Sequence, residues 1–350
     1  MIEQTLPPEF IGLAEVQAQH EEELLAKENV VGVGLGHKWS HGRDTGEDAL
    51  TVLVDAKVDP SLLSTSDAVP SSVDDVRTDV QEVGVIFAGT ALGEAELTGD
   101  ATRVRRNDDL APPPVPAAPE VGVQALTQKM RPAMGGFSVG HVNVTAGTIA
   151  TGCYDARPFP GVPSRYYLLS NNHVLANSNA ATVGDPILQP GRADGGTSPA
   201  DVIGRLSRFV PIKFLSPGSS PTNLVDAAIA EVPFHVLNRQ IYYIGHVTKM
   251  YAAPTVNDIV QKTGRTTNYT TGRVQNINAT VDVNYGGGRV ARFTRQIITT
   301  AMSAGGDSGS LVTNLASEGV GLLFAGSATV TIVNHLNFVQ ALLGIRITER

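Results

Sequence analysis

From residue 135 onward, apolar residues fall in short runs split by Gly, Asn and Pro: Phe137 to Val144, Thr148 to Tyr154, Tyr166 to Ser170, Asp201 to Val210 and Leu224 to Val232. The pattern continues through Arg273 to Asp282, Val290 to Thr300, Leu311 to Val312, Val320 to Gly326 and Ala328 to Val333, with Gly286-Gly287-Gly288 as a hairpin tip. Short strands at this density, with turn residues between them, predict an antiparallel sandwich or barrel. The first hundred residues differ. Pro8 to Asn29 spaces Phe10, Ile11, Leu13, Val16, Leu24 and Leu25 as an amphipathic helix would, starting just after Pro7-Pro8. Val30 to Gly36 reads as a strand, Ala49 to Ala56 as a second and Val80 to Ala88 as a third, and Pro60 to Leu63 starts a short helix. Gly32, Gly34 and Gly36 fall on one face of the first strand, bare enough for another backbone to lie close.

Between the two patterns lie the charge run Arg103 to Asp109 and a stretch from Ala111 to Pro119 with five prolines, which form neither helix nor central strand. The expected organisation is an N-terminal α+β regulatory or assembly domain over 1–108, a Pro/Ala-rich linker over 109–134 and a β-rich domain over 135–350. The length of 350 residues agrees with two domains.

Composition narrows the function. A net charge of −8 argues against nucleic acid or an anionic membrane as the partner. A single cysteine, Cys153, excludes an intrachain disulfide, and its apolar run reads as core rather than as a reactive thiol. The first residues lack a basic and then apolar leader, and no run approaches a membrane span, so the expected location is the cytoplasm. The G-x-G-x-G of residues 32–36 is followed by a polar loop, His37 to Arg43, instead of a helix, so it lacks the context of a nucleotide fingerprint. His37 and His41, with Asp44 and Glu47 nearby, read as solvated loop residues rather than metal ligands.

The chemistry concentrates in three segments. Ala304 to Ser310 is a glycine-rich turn with Ser308 between Asp307 and Gly309; glycines there permit positive φ and uncover the hydroxyl. Serine needs a base and a group to orient that base. His173 follows the apolar run Leu168 to Ser170 and the pair Asn171-Asn172, and Asp226 sits between Leu224-Val225 and Ala227-Ala228-Ile229. The order His173, Asp226, Ser308 is one in which the Ser-His-Asp arrangement recurs, with separations of 53 and 82 residues.

Together, G-D-S-G, S-N-N-H-V and D-A-A-I-A resemble the trypsin/chymotrypsin-like serine peptidases, above all the disulfide-free bacterial members and the plant narrow-leaf protein. The resemblance covers roughly residues 135 to 350. It implies two six-stranded β-barrels with a cleft between them, a closing helix over Asn334 to Ile345 and a second barrel starting near Lys262-Thr263-Gly264. It assigns His173, Asp226 and Ser308 as the catalytic residues, the amides of Gly306 and Ser308 as the oxyanion hole, and Asp307 as a buried carboxylate that shapes the turn. Counting back along the family pattern puts Met302 at the base of the substrate pocket and Phe324, Ala325 and Gly326 along its wall. Phe324 stands where relatives carry Ser or His, so the usual hydroxyl beside the catalytic Asp is missing.

The expected activity is that of a serine endopeptidase, bacterial in type, with no cofactor or metal, acting on protein or peptide substrates. An apolar pocket would favour cleavage after small or medium apolar residues over Arg, Lys or Glu. The family's habit of assembling makes a homo-oligomer the default. The other reading is a catalytically silent scaffold of the same fold that binds extended peptides. A heat-shock-type protease fits less well: that group shows G-N-S-G-G, and only 42 residues follow Ser308 here.

Overall fold

The β-branched runs Val290–Thr300 and Val330–His335 pair antiparallel, with Ile297 opposite Val333 and Ile298 opposite Ile332. Such residues suit a pleated surface that is buried on one side. In the computed structural model, which describes residues 5–89, 125–159, 161 and 163–348, these two strands belong to a closed ring. Val330–His335 continues to Gly319–Gly326, then Leu311–Asn314, Ile259–Gly264 and Asn268–Asn284, which returns to Val290–Thr300. That is the second barrel. Its interior holds Val260, Val274, Ile297, Val312 and Val333.

The first barrel is built from residues 133–241. Val202–Phe209 and Tyr166–Ser170 flank Ala228–Glu231, and Thr151–Asp155 pairs with Tyr166–Ser170. Ser138–His141 and Pro186–Leu188 complete the sheet on its far side. Backbone bonds from Gly136 to Ile149, and from Ala150 to Leu169, draw its two ends together. Leu168, Ile187, Leu206 and Ala230 fill its core. A helix, Leu336–Leu343, ends at Gly344, whose φ of +65° suits the left-handed cap glycine provides. Cys153 is fully buried, and that burial pushes its thiol far above the ordinary range.

The N-terminal region departs from the expected outline in three ways. First, its strands join the second barrel's sheet. Val30–Ser40 pairs antiparallel with Asn268–Asn284, from Gly32 opposite Val281 to Gly36 opposite Asn276. The bare glycine face permits this: a Cβ at Gly32 would stand 2.7 Å from the Thr280 carbonyl oxygen, and one at Gly36 2.7 Å from the Gln275 carbonyl oxygen. Arg43–Val54 and then Val76–Glu82 continue the sheet outward. Second, His37 to Arg43 is not a loop, because the strand runs on to Ser40 and turns tightly at His41-Gly42, both at positive φ. Third, the strand expected over Val80 to Ala88 is two pieces, Val76–Glu82 and Phe87–Ala88, separated at Gly84 with φ +71°. The helix Ile11–Leu25 starts where expected and lies against the first strand. Most of the 109–134 linker lies outside the described residues; from its end, Leu126 already packs into the first barrel's core.

Candidate active site

Tyr166–Ser170 delivers the chain to a single helical turn, Asn172–Leu175, that carries His173. Asp226 sits just ahead of Ala228–Glu231, the neighbouring strand, so pairing of Ser170 with Ala228 brings the two polar residues together. The His173 Nδ1–H donates to Asp226 Oδ2 at 2.6 Å, and the His173 amide donates to Oδ1 at 3.2 Å. Asp226 is fully buried and His173 nearly so. Their backbones are pinned too: Asn171 Nδ2 donates to the Asp226 carbonyl at 2.7 Å, and the Asp226 amide donates to Asn334 Oδ1 at 2.9 Å. The other ring nitrogen of His173, Nε2, has no hydrogen-bond partner among the described residues.

A third donor reaches the same carboxylate. Tyr285, at the tip of the Asn268–Asn284 to Val290–Thr300 hairpin, donates its hydroxyl to Asp226 Oδ2 at 2.7 Å. Burial, followed by the Asp226 charge, pushes its phenol well above the ordinary range, so it remains a donor. Position 324 carries no hydroxyl, as the sequence indicates, and Tyr285 supplies one from another strand. Nothing in the local sequence around Tyr285 signals this.

Ser308 comes from the second barrel, and its turn is held from both sides. Gly306 and Gly309 take φ of +96° and +97°. From the first barrel, the Thr148 amide donates to the Ser308 carbonyl at 2.8 Å and its hydroxyl to the Gly306 carbonyl at 2.9 Å. From below, Asp307 is fully buried and accepts from the amides of Thr266, Thr267 and Ala304 and from the Thr267 hydroxyl. Its counter-charge is the Lys262 ammonium at 3.1 Å, with both side chains wholly buried. Burial pushes Lys262 below its ordinary range while Asp307 opposes the shift. The sequence segment 262–267 thus holds the turn's cation and two of its amide donors, which the motif alone does not reveal.

The turn orients its amides. Thr266 Oγ1 donates to the Gly305 carbonyl at 2.7 Å, and the Ser310 amide and hydroxyl bond the Asp307 carbonyl at 3.0 and 2.6 Å. In a planar trans peptide the N–H points opposite the C=O. The amides of Gly306 and Ser308 are therefore turned the other way, and neither has an acceptor among the described residues.

Beside Ser308 lies a cavity of about 490 Å³ lined by Ser303, Ala304, Gly305, Leu323, Ala325 and Gly326, among others. Ala325 and Gly326 line this cavity. Met302 and Phe324 do not. Met302 is buried among Val260, Val274 and Val312, and Phe324 packs on Phe293 at 4.7 Å between ring centroids. The pairing register slips between Leu323 and Ala325, so counting along the strand does not preserve the facing of side chains. His37 and Asp44 pair at 2.9 Å with Asn257 alongside, and no group of three metal-ligating side chains gathers among the described residues.

Solved structures similar to this chain include proteases. Thermobifida fusca Protease A is 15% identical, with 61% of this chain and 97% of that chain covered at a TM-score of 0.43. Cellulomonas bogoriensis chymotrypsin is 17% identical over 62% and 98%, at 0.41, and Nocardiopsis protease 16% identical over 61% and 98%, at 0.42. No protein-family model matches the chain, and no curated protein sequence does. The described architecture, two β-barrels with the N-terminal strands added to the second, is mainly β, as the sequence leads one to expect. No helix among the described residues is long and apolar enough to cross a membrane.

Proposed function

We propose that the chain is a serine endopeptidase acting through Ser308, His173 and Asp226. The observation that carries the reading is His173 itself, with Nδ1 bonded to a buried carboxylate and Nε2 left without a partner. An imidazole held in that tautomer is prepared to accept a proton at Nε2. Ser308 Oγ attacks the substrate carbonyl carbon while its proton passes to His173 Nε2, and the tetrahedral oxyanion is met by the Gly306 and Ser308 amides. His173 then protonates the leaving amine, and water repeats the sequence on the acyl-enzyme. Each well-aimed oxyanion donor contributes about 3–4 kcal/mol to such a step. Ala304, Leu323 and Ala325 in the cavity wall support a preference for small or medium apolar side chains before the cut. Glu82 also lines the cavity, and its carboxylate accepts the Lys57 amide at 2.9 Å.

Treatment with a fluorophosphonate probe and location of the adduct by mass spectrometry tests this reading. The expected adduct is on Ser308, and Ser308→Ala is expected to lower turnover by about a millionfold with the fold intact. A chain that binds peptides without labelling at Ser308 is instead the silent scaffold.

A further inference from the structure

Leu311–Asn314 pairs with Gly319–Gly326 only as far as Leu322, and the edge that this leaves at Ala325-Gly326, beside Ser308, is already occupied. Phe87–Ala88 lies antiparallel to it, with Ala88 opposite Ala325 and Phe87 opposite Gly326, and beside Asn284 on the other flank. The Asn284 amide donates to the Ile86 carbonyl at 2.9 Å. Val83 and Ile86 anchor the segment in the core with Ile212, Val281 and Phe324, and Thr329 Oγ1 donates to the Val83 carbonyl at 3.0 Å. Val85, Phe87 and Gly89 line the same cavity as Ser308. At Gly89 the segment reaches the histidine: a Cβ there would stand 3.9 Å from His173 Cδ2.

An open strand edge offers unpaired N–H and C=O groups, and peptides bind such edges by adding a strand. Here the added strand is this chain's own. Two features make it an occupant rather than a peptide presented for cleavage. Gly89 brings no side chain to a cavity of about 490 Å³. Its φ of +104° also takes the backbone off an extended course beside His173. We propose that residues Val85–Gly89 are an intramolecular ligand of the peptide-binding edge at Ala325-Gly326, and that a peptide substrate enters by displacing Phe87–Gly89. The inference rests on the peptidase reading for its consequence. Val83 and Ile86 are core residues while Phe87 and Ala88 are only half-buried, so the segment peels from residue 87 onward with its root left in place.

Displacement by competition has a kinetic signature. Substrate affinity falls by the fraction of molecules with an open edge, whereas the chemical step is untouched. Ala88→Pro, which weakens an added strand, is expected to lower KM for a peptide amide at unchanged kcat, by about threefold or more. The converse is a lock. The double variant Ala88→Cys, Ala325→Cys places thiols on directly opposed residues, close enough for a disulfide. Oxidised, it is expected to hydrolyse the peptide at least about tenfold more slowly than after dithiothreitol, while a small fluorophosphonate still labels Ser308.

Hydrolysis that is the same in the locked and reduced forms, failure of the two thiols to join, or an Ala88→Pro enzyme of raised KM would each overturn the occupant. Absence of both labelling and hydrolysis in every form, the native chain included, would instead remove the peptidase reading and this inference with it.

Discussion

Tyr285 donates its hydroxyl to the same carboxylate oxygen of Asp226 that His173 Nδ1 engages, at 2.7 Å against 2.6 Å. The two donors come from different barrels, so the carboxylate is fixed across the interface rather than within one sheet. Tyr285 also meets His173 edge-on at 6.1 Å between ring centroids and rests on Phe214 and Phe293. The hydroxyl missing at position 324 is thus replaced from the tip of a long hairpin whose Gly286, Gly287 and Gly288 all take positive φ.

Removing only that hydroxyl separates its role from the ring's. Tyr285→Phe is expected to cost about 1.5–3 kcal/mol of stability, as loss of a hydrogen bond to a buried charge does. It should also lower kcat with little change in KM, because the ring's packing survives and the bond acts on the charge beside His173. Urea unfolding and steady-state kinetics on one peptide substrate check both; an unchanged midpoint and unchanged kcat would show that the bond is idle.

The ion pair beneath the serine turn makes a sharper demand. Lys262→Met keeps much of the buried volume but leaves Asp307 as a buried carboxylate without its cation, which costs about 3–5 kcal/mol. A Lys262→Met, Asp307→Asn double variant should recover part of that stability, since no lone charge is left. It should not recover activity, because the Asp307 bonds to Thr266, Thr267 and Ala304 set the amides of the turn. Thermal unfolding of the wild type, both single variants and the double variant measures the coupling.

A pH dependence follows from His335. It is 1% exposed beside Phe338, and burial lowers its pKa from 6.5 to about 4. In the unfolded chain the imidazole takes a proton near its ordinary pKa; in the folded chain it stays neutral until about pH 4. The unfolded state therefore binds more protons between those values, and stability falls as pH drops from about 6.5 toward 4, by roughly 3 kcal/mol in all. His335→Gln should flatten that portion of the curve. Unfolding midpoints at pH 7 and pH 4.5 for the two proteins decide it.

How far the sequence reached depends on the range of the interaction. The strands Tyr166–Ser170 and Val290–Thr300 are local patterns and stand within a few residues of where the apolar runs put them, and the helix Leu336–Leu343 falls within the span Asn334 to Ile345 that the resemblance implies. The neighbourhood of His173 and Asp226 was legible because a motif order, rather than any single residue, pointed to it. Tyr285, Lys262 and Thr148 were not legible: each meets its partner across 45 or more residues, and nothing in its own segment marks the meeting. Phe324 lies off the cavity wall for a different reason: the register of its strand slips between Leu323 and Ala325, and a one-residue slip moves a side chain to the other face. The glycines of Val30–Ser40 announced a close approach but not its partner, which lies some 240 residues further on at Asn276 to Val281.

That partner fixes the last expectation, which concerns cooperativity. Val33, Leu35, Leu50 and Val52 from the N-terminal strands share one core with Val260, Val274, Ile297 and Val312 from the second barrel. A separately folding unit would melt by itself, and a core substitution in it would leave the barrel's transition where it was. With a shared core and a continuous sheet, unfolding of either part exposes the other's apolar face. Leu35→Ala removes a fully buried side chain and should cost about 2–5 kcal/mol, and Val260→Ala somewhat less. Both are expected to lower one and the same calorimetric transition, and the loss from Leu35→Ala should appear equally in a probe placed in either part. Two resolved transitions, with Leu35→Ala moving only one of them, would show that residues before 89 and the second barrel fold independently despite the strand pairing between them.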